Sequence, residues 1–219
     1  MGERSYGQFC GLARALDLVG ERWALLIVRD LLVGPRRFTD LRQGLPRIPT
    51  NVLSARLREL EDEGVVARRV LPRPAGSVVY ELTGYGRDLE DVVLALGAWG
   101  ARRLGEPRPG EIVTADSMVV ALRAMFQPVA ATRTSTSFEL RLGEVVLHAR
   151  IEDGELDAAA GPLPGADLVL AAGPGIRAVF AREIGPDEAI RDGVVQVVSG
   201  DPALLGTLAS VFRLEPSPA

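Results

Sequence analysis

Lysine is absent from this chain: all 25 basic residues are arginine. We read this mainly as genome composition, although arginine also suits bidentate contacts to phosphate. A single cysteine and a single histidine exclude a disulfide framework and a zinc cage built from protein ligands alone. No apolar run is long enough to span a bilayer, and Met1-Gly-Glu-Arg-Ser-Tyr lacks the apolar core of a signal peptide, so a cytoplasmic protein without membrane contact is expected. What is present is ordinary for a globular protein. The 219 residues are 47% hydrophobic and 25% charged, which excludes wholesale disorder and suffices for one large or two small domains. A net charge of −4 argues, at first sight, against a nucleic-acid binder.

That net charge is an average of opposites. The Pro/Gly-rich stretch Gly105-Glu-Pro-Arg-Pro-Gly110 divides a first part of net +3 from a second of net −7. Nine arginines fall between Arg36 and Arg73, against five acids, four of them crowded into Glu59 to Glu63. Long-range potential follows local charge more than the sum, so the acidic balance loses its force.

Residues 10–20 and 21–33 carry apolar side chains at helical spacing, and Gly34-Pro35 stops the second run. Thr39 is a candidate cap for a short helix over Asp40 to Gln43. From Thr50, a candidate N-cap, TNVLSARLRELEDEG reads as a helix stopped by Gly64. Leu53, Leu57 and Leu60 fall on one side of it, and Asn51, Ser54, Ala55, Arg58 and Asp62 on the other. Small residues on such a face permit close approach to a major groove, where Asn, Ser and Arg read base edges. Arg56, at the edge of the apolar side, reads better as a salt-bridge residue. Residues 65–71 and 77–83 are β-branched-rich and flank Pro72-Arg-Pro-Ala-Gly76, the pattern of an antiparallel hairpin. Helix–turn–helix followed by a hairpin is a winged helix. Arg73 at its tip, and Arg68 or Arg69 on its stem, would supply phosphate contacts or reach the minor groove. A later helix, Arg87 to Leu104, stacks Leu89, Val92, Val93, Leu96 and Trp99 in one stripe, suited to a partner helix from a second copy.

An ordered set of motifs resembles the HxlR family of bacterial winged-helix regulators. It runs from Cys10 ahead of a helix, through Gly20-Glu-Arg-Trp23, Leu-Leu-Ile-Val-Arg29-Asp and Gly34-Pro-Arg-Arg-Phe38 with Leu41-Arg42. It continues with Val52-Leu-Ser-Ala-Arg-Leu-Arg-Glu-Leu60 and Glu63-Gly64-Val-Val66, and ends with Tyr80-Glu-Leu-Thr83 and Gly86-Arg-Asp-Leu89. The resemblance covers about the first half of the chain. It implies a homodimer, usually a repressor, with the helix from Thr50 in the major groove of a near-palindromic operator. Pro49 departs from the family's small polar cap, which bears only on the cap assignment. The DNA-facing candidates are Arg36, Arg37, Arg42, Arg47, Thr50, Asn51, Ser54, Arg58, Arg69 and Arg73; each arginine is otherwise a solvated surface charge. Some members of the family sense oxidants or electrophiles through a cysteine at the position of Cys10. Arg14, one helical turn on, could favour its thiolate; otherwise Cys10 is a small residue packed near a dimer interface.

The second half reads α, three or four antiparallel strands, helices, strand, helix: an α+β domain. Ala166-Asp-Leu-Val-Leu170, Ala189-Ile-Arg-Asp-Gly193 with alternating Val194 to Val198, and Gly200-Asp-Pro-Ala-Leu-Leu205 are similar to the sterol-carrier-protein-type domain. That resemblance implies a sheet covered by helices around an apolar cavity. Its candidate lining is Met118, Leu122, Met125, Phe126, Phe138, Val179, Phe180, Leu208 and Phe212, each of which could equally be ordinary core.

No set of residues supplies acid, base and nucleophile together; His148 stands alone in an alternating strand, and Gly173-Pro-Gly175 lacks the lysine of a phosphate loop. No enzyme, cofactor or metal is expected. The expected organisation is a winged-helix DNA-binding and dimerisation domain over residues 1–106 and a sterol-carrier-like effector domain over 111–219. Its partners would be double-stranded DNA, a second copy of the chain and a small apolar or amphipathic effector. The alternatives are a repressor switched through Cys10, or a lipid-binding carrier module without a DNA function.

Overall fold

The computed structural model describes residues 5–72, 76–105 and 107–215. The chain forms two compact units, Met1–Val93 and Leu94–Ala219.

In the first unit, α1 (Gly11–Val19) and α2 (Ala24–Leu32) are joined by a tight turn in which Trp23 takes a left-handed backbone, φ 83°. The Arg22 guanidinium lies over the Trp23 ring, 5.2 Å from its centroid. Helix α2 buries Ile27, Val28 and Leu31 almost completely and ends where Gly34 adopts positive φ ahead of Pro35. The short α3 (Phe38–Gly44) and the longer α4 (Thr50–Asp62) follow. Strands β1 (Val66–Val70) and β2 (Val78–Leu82) pair antiparallel, with Arg68 opposite Tyr80 and Val66 opposite Leu82. Arg36 adds a further bridge to the other edge of β2, its N–H donating to the Tyr80 carbonyl at 2.9 Å and its carbonyl accepting from the Tyr80 N–H at 2.8 Å. After α5 (Gly84–Arg87), α6 (Glu90–Ala101) carries the chain past Val93.

Two caps differ from the sequence expectation. Helix α3 begins one residue before Thr39, and its first turn is closed by the Asp40 carboxylate, which accepts from the Arg37 N–H at 2.8 Å. A carboxylate at this site also meets the positive end of the helix. Thr50 is the first residue of α4, not its cap; the cap position belongs to Pro49, whose extended backbone turns the chain into the helix.

In the second unit, α7 (Ala115–Met125) and α8 (Pro128–Ala131) precede β3 (Ser135–Leu142), β4 (Val145–Glu152), β5 (Glu155–Ala160) and β6 (Leu168–Ala172). Then come α9 (Ile176–Phe180), α10 (Pro186–Arg191), β7 (Val195–Gly200) and α11 (Leu204–Val211). The five strands lie in the order β5-β4-β3-β6-β7. The expected antiparallel run holds for β3, β4 and β5, but β6 lies parallel to β3. The reason is the segment from Gly161 to Asp167, which crosses one face of the sheet over β4 and β3. Its Gly161 carbonyl accepts from His148 Nδ1 at 2.9 Å, and its Leu163 N–H donates to Glu139 Oε2 at 2.8 Å. At its end Asp167 Oδ2 accepts from the Ser137 hydroxyl at 2.7 Å and the Ser137 N–H at 2.8 Å. On the opposite face Phe138, Leu140, Leu147, Ala149 and Leu170 are buried. Among the described residues no helix is long and apolar enough to cross a membrane.

Candidate nucleic-acid interface

Helix α4 is held by its apolar side. Leu53, Leu57 and Leu60 are at most 2% exposed, and burying a leucine is worth about 1.5–3 kcal/mol. Its C-terminus is closed by a paired cap: the Val65 N–H donates to the Leu60 carbonyl at 2.9 Å and the Gly64 N–H to the Glu61 carbonyl at 3.0 Å. Gly64 adopts the left-handed conformation this requires, φ 71°. Thr83 then ties β2 to the same point, its hydroxyl donating to the Gly64 carbonyl at 2.6 Å and accepting from the Gly86 N–H at 3.0 Å. Gly86 packs directly on the Val65 carbonyl, where a Cβ would collide with the oxygen. The motifs Glu63-Gly64-Val-Val66 and Tyr80-Glu-Leu-Thr83-Gly-Tyr-Gly86 thus form one joint that fixes the hairpin against α4.

With the leucines inward, Asn51, Ser54, Arg58 and Asp62 are exposed on the opposite side, as their spacing predicts, while Ala55 is half-buried; Thr50, at the start of the helix, is also exposed. The Ser54 hydroxyl donates to the Thr50 carbonyl at 2.9 Å, so it faces outward as an acceptor. Arg56 does not face outward. Its side chain is 15% exposed and pairs with Glu59 and, at 3.7 Å, with Glu21, clamping α4 to the α1–α2 turn.

The stem arginines divide by strand alternation. Arg69 lies on the face away from Tyr80 and forms a bidentate pair with Glu81, both contacts 2.9 Å. Of the two stem candidates, this one has its charge engaged within the hairpin. Arg68, left out of the DNA-facing set, points to α4: it shares with Phe38, Ser54, Leu57, Arg58, Glu61 and Tyr80 a cleft of about 320 Å³. The alternation of β1 and the acid at position 81 are the sequence signals that separate the two arginines. Arg37, Arg42 and Arg47 are exposed around α3 and the α3–α4 turn, while Arg36 is half-buried at its bridge to β2. Arg73 lies outside the described residues.

At the start of α1, Cys10 is exposed. The backbone amides of Ala13 and Leu12 hold its thiol pKa below the ordinary value. Arg14 is not the cause; it reaches Asp17 at 3.8 Å instead. On α6, Val93 is buried while Val92, Leu96 and Trp99 are exposed; Leu89, expected on the same helix, lies just before it and is half-buried.

The candidate lining of the second unit is packed as core. Leu122, Phe138, Val179, Leu208 and Phe212 are at most 1% exposed, Phe180 and Met125 are buried, and Met118 and Phe126 are half-buried. The Phe212 ring meets Phe126 at 5.7 Å and Phe180 edge-on at 6.3 Å between centroids, so three of these residues form one aromatic cluster. A buried acid on the other face of the sheet escaped the sequence reading. Burial pushes the Glu139 pKa up, but the Leu163 amide and Arg141, with His148 opposite, outweigh it, and the carboxyl lies below the usual range. Asp167 is also held low, by the hydroxyl and amide of Ser137.

Known proteins share the first unit. The model of the HxlR-like helix-turn-helix family matches residues 18–107. The HTH-type transcriptional regulator YodB of Bacillus subtilis (strain 168) is 40% identical over 85 residues, 39% of this chain and 76% of YodB. The regulator YdeP of the same organism is 37% identical over 93 residues, 42% of this chain and 73% of its own length. Among solved structures, the oxidized form of the redox regulator HypR is 34% identical, covering 44% of this chain and all of HypR with a TM-score of 0.42. YodB and YdeP are each matched over about three quarters of their own length, and through residues 18–107 the chain belongs to the HxlR-like helix-turn-helix family.

Proposed function

We propose that the protein is a homodimeric transcriptional regulator, a repressor acting in the cytoplasm, that binds double-stranded DNA through α4 and the β1–β2 hairpin. The observation that carries this reading is α4 itself: three buried leucines turn Asn51, Ser54 and Arg58 outward beside a hairpin bearing Arg68. Family membership supports it. Two copies would place their α4 helices in successive major grooves of a near-palindrome, about 34 Å apart. The exposed Val92, Leu96 and Trp99 on α6 supply an apolar surface for the second copy. In this organisation residues 1–106 bind DNA and dimerise, and residues 111–219 form a sterol-carrier-like domain that holds a small apolar or amphipathic effector. The α+β make-up of the second unit, a five-stranded sheet with helices before, between and after its strands, supports that domain reading. The effector changes DNA binding only through a difference in its affinity for two dimer conformations. No enzymatic step, cofactor or membrane enters this account.

A mobility-shift assay with the DNA upstream of the protein's own gene, with and without cell extract, tests the reading. A shift that weakens with salt is expected. Ligand binding without any shift at low salt would instead identify a carrier module.

A second reading, a thiol switch, is favoured by the exposure of Cys10 and the amides that promote its thiolate. Release of DNA by an oxidant would then be abolished in Cys10→Ser; release that persists in the variant removes this reading.

A further inference from the structure

Reading bases from α4 requires more than a buried side; it requires a fixed roll of the helix about its own axis. A side-chain tip about 5 Å from that axis moves about 0.9 Å for a roll of about 10°. A hydrogen bond keeps its strength over only about 0.5 Å. Leu53, Leu57 and Leu60 make apolar contacts, which are non-directional, so they set the inward side and leave the finer angle to neighbours. Arg56 is placed to fix it. At about 100° per residue it lies about 65° round α4 from the leucine stripe, on the flank between the buried and outward sides. Its Nη2 lies 3.7 Å from Glu21 Oε2, and its Nη1 pairs with Glu59. Arg14 with Asp17, Arg29 with Asp30, and Arg69 with Glu81 stay within α1, α2 and the hairpin. The contact of Arg56 with Glu21 joins α4 to a different element, and its far anchor is stiff. In that turn the Gly20 N–H donates to the Leu16 carbonyl at 2.9 Å, and the Glu21 carbonyl accepts from the Ala24 N–H at 3.0 Å. Trp23, two residues on, is half-buried at φ 83° under the Arg22 guanidinium. A bulky residue keeps that backbone only where its surroundings over-determine it.

We propose that Glu21 and Arg56 are positioning residues for base recognition. The pair sets the roll of α4 against the α1–α2 turn, and through it the aim of Asn51, Ser54 and Arg58. The inference rests on the reading of α4 as the DNA-facing helix. It separates two parts of binding. Contacts to base edges fail when the roll drifts, whereas arginine contacts to the backbone follow the drift on long, flexible side chains. Loss of the pair therefore lowers discrimination between sequences and leaves the salt-dependent, sequence-independent part in place.

The test uses the full chain as wild type, Glu21→Gln, Arg56→Gln, Arg56→Lys and Glu59→Gln. Glu59→Gln is the matched control. Like Glu21→Gln it removes one half-buried acid beside Arg56, but an acid on α4 itself, which cannot hold the helix against the turn. Matching circular dichroism shows that each variant is folded. Wild type first selects a duplex from a randomised pool, and every variant is then titrated against that duplex and a shuffled one at several salt concentrations. Glu21→Gln and Arg56→Gln should each cut the ratio of the two affinities about tenfold, with the salt slope on shuffled duplex unchanged. Arg56→Lys should keep most of the ratio, because a contact at 3.7 Å needs the charge more than the guanidinium fork. Glu59→Gln should keep all of it. Residual dipolar couplings of the backbone amides read the roll of α4 against α2 in the DNA-free protein, and should change in Glu21→Gln and Arg56→Gln alone. An unchanged ratio or unchanged couplings in Glu21→Gln overturns the proposal. So does an equal fall in Glu59→Gln, or an Arg56→Lys that falls as far as Arg56→Gln. A wild type that selects no sequence overturns the reading of α4 instead, while the couplings still decide whether the pair holds the roll.

Discussion

Arg69 and Glu81 grip each other across the hairpin, Nε to Oε1 and Nη2 to Oε2, both at 2.9 Å. The pair sits on the face of the stem opposite Arg68 and Tyr80, and it neutralises the arginine that the sequence alone marks as equivalent to Arg68. Glu81→Gln should therefore strengthen duplex binding several-fold at low salt, by removing one negative charge and releasing Arg69. The pair is partly exposed, so the cost to stability should stay below about 1 kcal/mol. Binding isotherms and denaturant melts of the same preparation check both; unchanged DNA affinity would place Arg69 away from the DNA.

Asn51 stands exposed on the first turn of α4 with the leucines behind it. Asn51→Ala should relax base preference at one operator position, at a cost of about 1–3 kcal/mol there, with little effect on random duplex. Comparing affinities for a set of single-base operator variants measures this. A uniform loss across the set would show that Asn51 contacts the backbone.

Gly86 and Gly206 should respond to alanine in opposite directions. At Gly86 the new methyl meets the Val65 carbonyl and must push the hairpin off the end of α4; a loss of about 3 kcal/mol is expected. At Gly206, within α11, the Cβ direction is open, and alanine should add about 0.5–1 kcal/mol. Denaturant midpoints of the two variants against wild type decide.

Glu139 and acid stability are linked by sign. Its pKa in the folded chain lies below the ordinary value, so the stability it supplies is complete above the ordinary glutamate range and is lost as the pH falls through and below it. Glu139→Gln should remove part of that acid dependence. Glu139→Ala should cost about 1–3 kcal/mol at neutral pH, because the Leu163 amide loses its acceptor in a buried position. Denaturant melts at neutral and acid pH read both; an acid dependence unchanged in Glu139→Gln would contradict the assignment.

The features legible in the sequence were those set by local periodicity. The leucine spacing of α4, the β-branched runs of the hairpin and the alternation of β3 and β4 depend on neighbours a few residues away. What was hidden depends on distant partners. The left-handed turn at Trp23 carries no glycine to announce it. The parallel placement of β6 follows from a crossing segment held by Glu139 and His148, residues from other strands. The division between Arg68 and Arg69 needed the hairpin register, since adjacent strand residues face opposite ways and Glu81 lies on the partner strand. The caps at Arg37 and Pro49 were missed because nearby threonines match the usual preference, whereas the backbone had already turned one residue earlier.

The central claim, that α4 and the hairpin form a DNA-binding surface on an otherwise acidic chain, is tested most directly by fluorescence anisotropy. The assay titrates the full chain against a labelled duplex from the region upstream of its own gene at several salt concentrations. The account predicts saturable binding whose logarithmic affinity falls linearly with the logarithm of salt concentration, with a specific site favoured over random duplex. No binding at low salt would contradict it.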